Sequence, residues 1–115
     1  VNDIDQSLRW YCDVLGFVAG ERWEDGGKLL GGEVIAGGVT FYLMQDDWKK
    51  GRDRVKGEGF RVHCTTAQDV DALAAQVRAR GGRIEREPND EMGFRNFSVV
   101  DPDGYRISLQ AVRKK

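Results

Sequence analysis

Few side chains in this sequence can carry acid–base or covalent chemistry. There is one histidine, His63. A lone imidazole can serve as a general base or as one metal ligand. It cannot supply the two or three histidines of a zinc site, and it excludes an HExxH motif. The two cysteines, Cys12 and Cys64, form no CxxC pair; they read as reduced, mostly buried thiols of a cytoplasmic protein. Arg95 and Arg106 are candidates for a clamp on a carboxylate or phosphate, against the plainer reading of arginines in cross-strand charge pairs. The segment Glu87-Pro88-Asn89-Asp90-Glu91-Met92 carries three acidic groups. It reads as a solvated loop or as a gate that attracts a cationic ligand.

These residues must be positioned by short elements. Asp3 is a good N-cap, with Gln6 three residues on. Ile4, Leu8, Tyr11 and Leu15 then make one helical stripe, closed by Gly16. Strands are expected at 17–23, 28–35 and 39–45. Glu24-Asp25-Gly26-Gly27 is a hairpin signal, and Gly31-Gly32 a bulge signal. The segment 46–58 is a connector of mixed charge, with Trp48 as its apolar contact if it acts as a lid. A strand at 60–65 follows. Thr66 is expected to cap a second helix, with Asp69 at N3 and Val70, Leu73, Ala74 and Val77 as its stripe; Gly81-Gly82 stop it. A short strand at 83–86, a loop at 87–93 and a strand at 94–100 lead to Asp101-Pro102-Asp103-Gly104. Proline at the second position of this turn and glycine at the fourth suit type I geometry. The last strand is expected over 105–112, followed by a frayed basic tail, Arg113-Lys114-Lys115.

Composition bounds the answer. The 115 residues make one domain's worth of chain, and 40% of them are hydrophobic. Eighteen basic against nineteen acidic residues leave a net charge of −1, unlike a nucleic-acid-binding protein. No apolar run approaches the roughly 20 residues of a membrane helix, and no signal peptide is visible.

The order of elements repeats. A shift of 66 residues carries Ile4 onto Val70, Leu8 onto Ala74, Tyr11 onto Val77, Gly16 onto Gly82, Phe41 onto Ile107 and Leu43 onto Leu109. Identity is low, so the repeat is one of pattern. It predicts an α+β fold of two βαβββ modules curving around a shared cavity. Residues 1–115 then form one domain, with module one at 1–45, the connector at 46–58 and module two at 59–112. The first strand of module one is largely missing, Val1-Asn2 being its last residues, and the absence of an initial Met suggests a segment of a longer chain.

Two stretches carry a family resemblance. Asp3-Ile4-Asp5-Gln6-Ser7-Leu8-Arg9-Trp10-Tyr11-Cys12-Asp13-Val14-Leu15-Gly16-Phe17 resembles the opening helix of the vicinal oxygen chelate superfamily. Asp101-Pro102-Asp103-Gly104-Tyr105-Arg106-Ile107-Ser108-Leu109 resembles its final hairpin. The superfamily includes glyoxalase I, extradiol dioxygenases, fosfomycin-resistance enzymes and bleomycin-resistance proteins. Its enzymes hold a divalent metal on His, Gln or Glu ligands from the first and last strands of each module. Carried over by position, one ligand place falls upstream of Val1 and the others at Tyr42, Phe60 and Ser108. Phenylalanine has no lone pair, and neutral Tyr and Ser oxygens are poor ligands for divalent ions. The expectation is therefore no metal and no cofactor.

Strand alternation on this frame turns Thr40, Tyr42 and Met44 into the cavity, with Arg106, Ser108 and Gln110 from another strand and Phe60 and Val62 from a third. Phe41, Leu43, Ile107 and Leu109 pack under the helices. His63 then falls on the helix side or the surface. Arg95 and Phe97 complete the candidate ligand set. Trp10 reads as a packing or interface residue, and Trp23 as a stacking surface for a ligand or a partner chain. The resemblance to bleomycin-resistance proteins implies metal-independent binding of a small aromatic or cationic organic molecule by a homodimer. The alternatives are a metal-dependent lyase, isomerase or dioxygenase with a displaced or incomplete metal site, and a structural or regulatory module.

Overall fold

The computed structural model describes residues 1–112; the basic tail Arg113-Lys114-Lys115 lies outside the described residues. The chain divides into two compact units, Val1–Val55 and one beginning at Lys56. That boundary falls inside the expected connector.

In the first unit, helix α1 (Ile4–Asp13) is followed by β1 (Val18–Asp25), β2 (Lys28–Ala36) and β3 (Val39–Met44). The strands form an antiparallel sheet in the order β1-β2-β3. Asp3 caps α1, its carboxylate accepting from the Gln6 amide. At the other end Gly16 takes a φ of 79°, and the Phe17 amide closes back onto the Tyr11 carbonyl. This left-handed stop is cheap only for glycine. The helix buries Ile4, Leu8 and Tyr11 against Val34, which is fully enclosed. Phe17 stacks on Phe41 beneath it, ring centroids 5.9 Å apart. Gly31-Gly32 serves close approach on both faces of β2: a side chain at Gly32 would strike Leu8, and one at Gly31 would strike Met44 and Trp23. The neighbouring ladder is irregular as well, with register shifts on either side of Arg22-Trp23.

Val1 lies along the outer edge of β3. Its amino group donates to the Met44 carbonyl at 2.7 Å, and the Asp46 amide donates to the Val1 carbonyl at 2.8 Å. This is the hydrogen-bond pattern of a parallel bridge. The Gln45 side chain clamps the same segment, accepting from the Ile4 amide and donating to the Asn2 carbonyl.

The second unit contains β4 (Arg61–Thr65), α2 (Val70–Ala79), β5 (Arg83–Glu91), β6 (Phe94–Val100) and β7 (Arg106–Val112). Its sheet order is β4-β7-β6-β5, with β4 parallel to β7. Helix α2 buries Val70, Leu73, Ala74 and Val77 against this sheet, where Phe97, Val99, Ile107 and Leu109 are enclosed. Both helices have ten residues, and they start 66 residues apart, so the repeat in pattern is a repeat in structure.

Two local expectations are corrected. The cap of α2 is Asp69, which accepts from the Asp71 and Ala72 amides; Thr66 instead accepts from the Gln68 amide in a turn ahead of the helix. A carboxylate three residues nearer the helix outcompetes the hydroxyl for the free amides. The segment 87–91 is strand, not loop. It stays in the ladder because the register shift between Arg86 and Asn89 takes up the misfit around Pro88, and a bulge is where a sheet tolerates proline. The tight turn is Met92-Gly93, with φ of 52° and 84°, the positive pair of a two-residue hairpin loop. The turn at 101–104 forms as read: Gly104 donates to the Asp101 carbonyl, and the Asp101 carboxylate accepts from the Asp103 and Tyr105 amides.

Among the described residues no helix is long and apolar enough to cross a membrane.

Candidate functional site

Each sheet has one face under its helix and one face open. Directly opposed residues share a face, so the strand registers sort the candidate residues.

On the first unit, Tyr42 opposes Glu33 and Met44 opposes Gly31. Thr40, Tyr42 and Met44 are exposed, while Phe41 and Leu43 lie half-buried on the helix side. The parity expected for this strand holds. Trp23 stacks on Tyr42 with centroids 5.8 Å apart, so this open face is an aromatic platform edged by Met44. Trp10 packs edge-on against Tyr11. In the connector, Trp48 lies under the Arg52 guanidinium, 4.6 Å from the ring centroid.

On the second unit, β4 has the opposite parity to that expected. Val62 opposes Ile107 and Cys64 opposes Leu109, on the helix side. Arg61, His63 and Thr65 oppose Arg106, Ser108 and Gln110, on the open face. The ladder starts at Arg61 because a turn precedes it: Gly57 has φ of 79°, and the Phe60 amide donates to the Gly57 carbonyl. Phe60 therefore stands outside the strand, exposed and edge-on to Tyr105. His63 is the chemically capable residue that the reversed reading sent to the wrong side.

Phe97 is also corrected. It opposes Leu109 and is fully enclosed, a core residue and not a ligand contact. Arg95 and Arg106 are not brought together. Arg95 opposes Ala111 on the helix side, where it is held by Asp71 at 2.8 Å and Asp90 at 3.5 Å. These bonds lower the Asp71 pKa, the Arg95 hydrogen bond being the main cause. Arg106 points to the open face and reaches Glu85 at 2.6 Å.

Glu85 organises that face. Register passes from Ile84 opposite Val99 to Arg86 opposite Ser98, so Glu85 is the extra residue of a bulge, which re-aims a side chain. Its Oε1 accepts from Arg61 Nη1 and from Ser98 Oγ, both at 2.8 Å. Its Oε2 takes Arg106 Nε. Arg61 Nη1 also reaches Ser108 Oγ at 3.1 Å. The Arg61 hydrogen bond, ahead of the Ser98 bond and the charges of the two arginines, holds the Glu85 carboxyl below the usual glutamate range.

Beside this network opens a hollow of about 340 Å3. His63, Ser108, Asn96 and Gln110 supply polar groups from three adjacent strands, and Arg61 stands at one side. Phe94 and the hairpin-tip residue Met92 add apolar surface, next to Arg86 and Glu91. Among the described residues the side chains of His63, Asn96 and Gln110 have no hydrogen-bonding partner, so their donors and acceptors remain available to a ligand.

The donor set does not fit a divalent metal at the family's positions. Tyr42, Phe60 and Ser108 offer a phenol, no heteroatom and a hydroxyl that already serves Arg61. The neighbouring carboxylate, Glu85, is committed to two arginines and a serine. Among the described residues no three His, Cys, Asp or Glu side chains cluster to hold an ion. Cys12 and Cys64 are free thiols; burial is the main cause that raises the pKa of each.

Helix-on-sheet units repeated at this spacing are a known plan. Residues 1–109 match the sequence pattern of the Glyoxalase/Bleomycin resistance protein/Dioxygenase superfamily. The chain belongs to that superfamily. It is 31% identical to a probable lactoylglutathione lyase of Synechocystis, across 95% of this chain and 87% of the relative. It is 28% identical to a lactoylglutathione lyase of Arabidopsis thaliana, of which it spans 40%. Among solved structures it resembles TioX from Micromonospora, with a TM-score of 0.81 at 21% identity, covering 98% of this chain and 93% of that one. TnmS3, an antibiotic-binding protein from Streptomyces, matches with a TM-score of 0.74 at 24% identity over 98% and 89% of the two chains. These two likenesses establish the superfamily's fold.

Proposed function

We propose that this superfamily member binds a small organic molecule without a metal, on the open face of its second unit. The observation that carries the reading is the hollow in which His63, Asn96 and Gln110 present unused polar groups beside Phe94. Apolar walls with a few convergent polar groups are what an organic ligand requires, and both nearby carboxylates are committed to arginines, Glu85 to Arg61 and Arg106 and Glu91 to Arg86. Ser108 and Gln110 are ligand-side residues in this reading, with Arg106 behind them. On the first unit, Tyr42 stacked on Trp23, with Thr40 and Met44 on the same face, offers an aromatic surface. The free thiols Cys12 and Cys64 support a cytoplasmic location. The outer edge of β3, bridged only by Val1 among the described residues, supports a homodimer that covers it; light scattering on the full chain tests that part.

The test is calorimetric titration of chelator-treated chain with naphthamide, which carries an aromatic body and a neutral hydrogen-bonding group. Saturable binding that survives chelator, weakens about tenfold when His63 and Gln110 are both changed to Ala, and returns the ligand unchanged is the expected result. Binding that needs added divalent ion would overturn it. The identity to a probable lactoylglutathione lyase favours a second reading, a metal-dependent lyase. Turnover of lactoylglutathione by chain loaded with zinc, nickel or manganese would establish that reading instead.

A further inference from the structure

The charge around the hollow goes further than the binding reading on which it rests, because it specifies the ligand's sign. Arg61 and Arg106 share one carboxylate, Glu85. Arg86 is matched by Glu91 at 2.9 Å. Three guanidiniums therefore stand against two carboxylates, leaving one positive charge. The Glu85 side chain is only 22% exposed, and its partners Arg61 and Arg106 are 34% and 47% exposed. Charges in that position are less screened than on open surface. Arg61 meets Glu85 and Ser108 through Nη1 alone, and a guanidinium carries five N–H donors.

The acidic segment 87–91 does not reverse this balance. Glu87 is tied to Arg78 and Glu91 to Arg86. Asp90 shares Arg95 with Asp71, and it stands opposite Arg95 on the helix side, away from the hollow.

We propose that the open face of the second unit selects a singly charged organic anion, an aromatic or otherwise apolar carboxylate in class. Arg61 receives the ligand carboxylate, and Glu85 stands in the place that a second negative charge would take. The apolar body lies against Phe94, with Gln110 and Asn96 meeting polar groups along its edge. A cation would sit beside unbalanced positive charge, and a dianion would oppose Glu85.

Three probes of one shape test this on the full chain by calorimetry: naphthoate, naphthamide and naphthylmethylammonium. Naphthoate is expected to bind at least about tenfold tighter than naphthylmethylammonium, with an affinity that falls as sodium chloride is added. Arg61→Gln should weaken naphthoate about tenfold and change naphthamide by less than about twofold. Glu85→Gln should tighten naphthoate, the opposite of what loss of a merely structural glutamate would do; circular dichroism establishes that each variant is folded. The salt dependence of the unmodified chain gives a readout that needs no variant. Equal or tighter binding of naphthylmethylammonium, a folded Glu85→Gln chain with weakened naphthoate binding, or no naphthoate binding would each overturn the proposal. Chelator-resistant binding of naphthamide without naphthoate would sink this inference and leave the binding reading standing. Metal-dependent binding would remove both.

Discussion

The two units use one plan and finish it differently. In each, a ten-residue helix lays an apolar stripe on a sheet, and the residues beneath it are interchangeable in kind: Phe41 and Leu43 in one unit, Ile107 and Leu109 in the other. The faces away from the helices share nothing. The first unit presents Trp23 stacked on Tyr42 beside Met44. The second presents Glu85 between two arginines, with His63, Ser108 and Gln110 alongside. Burial constrains composition on one side only. The centre of the helix side must be apolar and closely packed in both units, while the open side is free to carry polar and charged groups, and in the second unit it carries the Glu85 network.

The sharpest way to break this comparison is to truncate an aromatic residue on each kind of face. Phe97→Ala, under α2 and fully enclosed, is expected to cost about 3–5 kcal/mol in urea unfolding. Tyr42→Ala, on an open face at 65% exposure, is expected to cost under about 1 kcal/mol. Comparable losses would mean that the open face of the first unit is as structural as the covered face of the second. A smaller effect follows from pH. The folded-state pKa of Glu85 is lowered by its arginine partners, so its contribution is present above the ordinary glutamate range and is lost as pH falls through the lowered value. Unfolding midpoints measured down the acid limb should therefore fall less steeply in Glu85→Gln than in the parent chain. An unchanged acid limb would mean the ion network adds nothing to stability. The smallest expected effect lies in the first unit. Ser7 Oγ is buried with no hydrogen-bonding partner, and Ser7→Ala should raise stability by up to about 1 kcal/mol. A destabilised variant would reveal a use for that hydroxyl.

Much of the fold was legible because its signals are local. The stripes Ile4-Leu8-Tyr11 and Val70-Leu73-Val77 needed only helical spacing. The 101–104 turn needed only the geometry of proline and glycine and an aspartate that accepts two amides. The site was less legible, since it depends on strand parity. Assigning Phe60 to the strand turned Val62 inward and His63 outward, and a one-residue slip flips every side chain of a strand. The signal that could have prevented it was Gly57 and Gly59 just upstream, which mark a turn and delay the ladder to Arg61. Glu85 was missed because alternation through Arg83-Ile84-Glu85-Arg86 assumes an unbroken ladder. Pro88, a residue that sheets admit at bulges, was the available hint. Phe97 was misplaced by the same reasoning applied to β6, where pairing with Leu109 decides the face.

The sequence by itself determined the superfamily, the two helices, the tight turns and the division of apolar residues into two similar halves. Each follows from interactions between residues a few positions apart, or from a repeat visible in one chain. Only the tertiary structure decided which face Arg61 and His63 occupy, that Arg95 serves Asp71 while Arg106 serves Glu85, and that Glu87 and Glu91 of the acidic strand each meet an arginine. Those outcomes depend on where a turn ends, where a ladder bulges and which charge lies across the sheet. The partners of Arg61, Arg95 and Arg106 lie more than 20 residues away, and the nearer pairs along the acidic strand form only because hairpin register and helix packing bring them together.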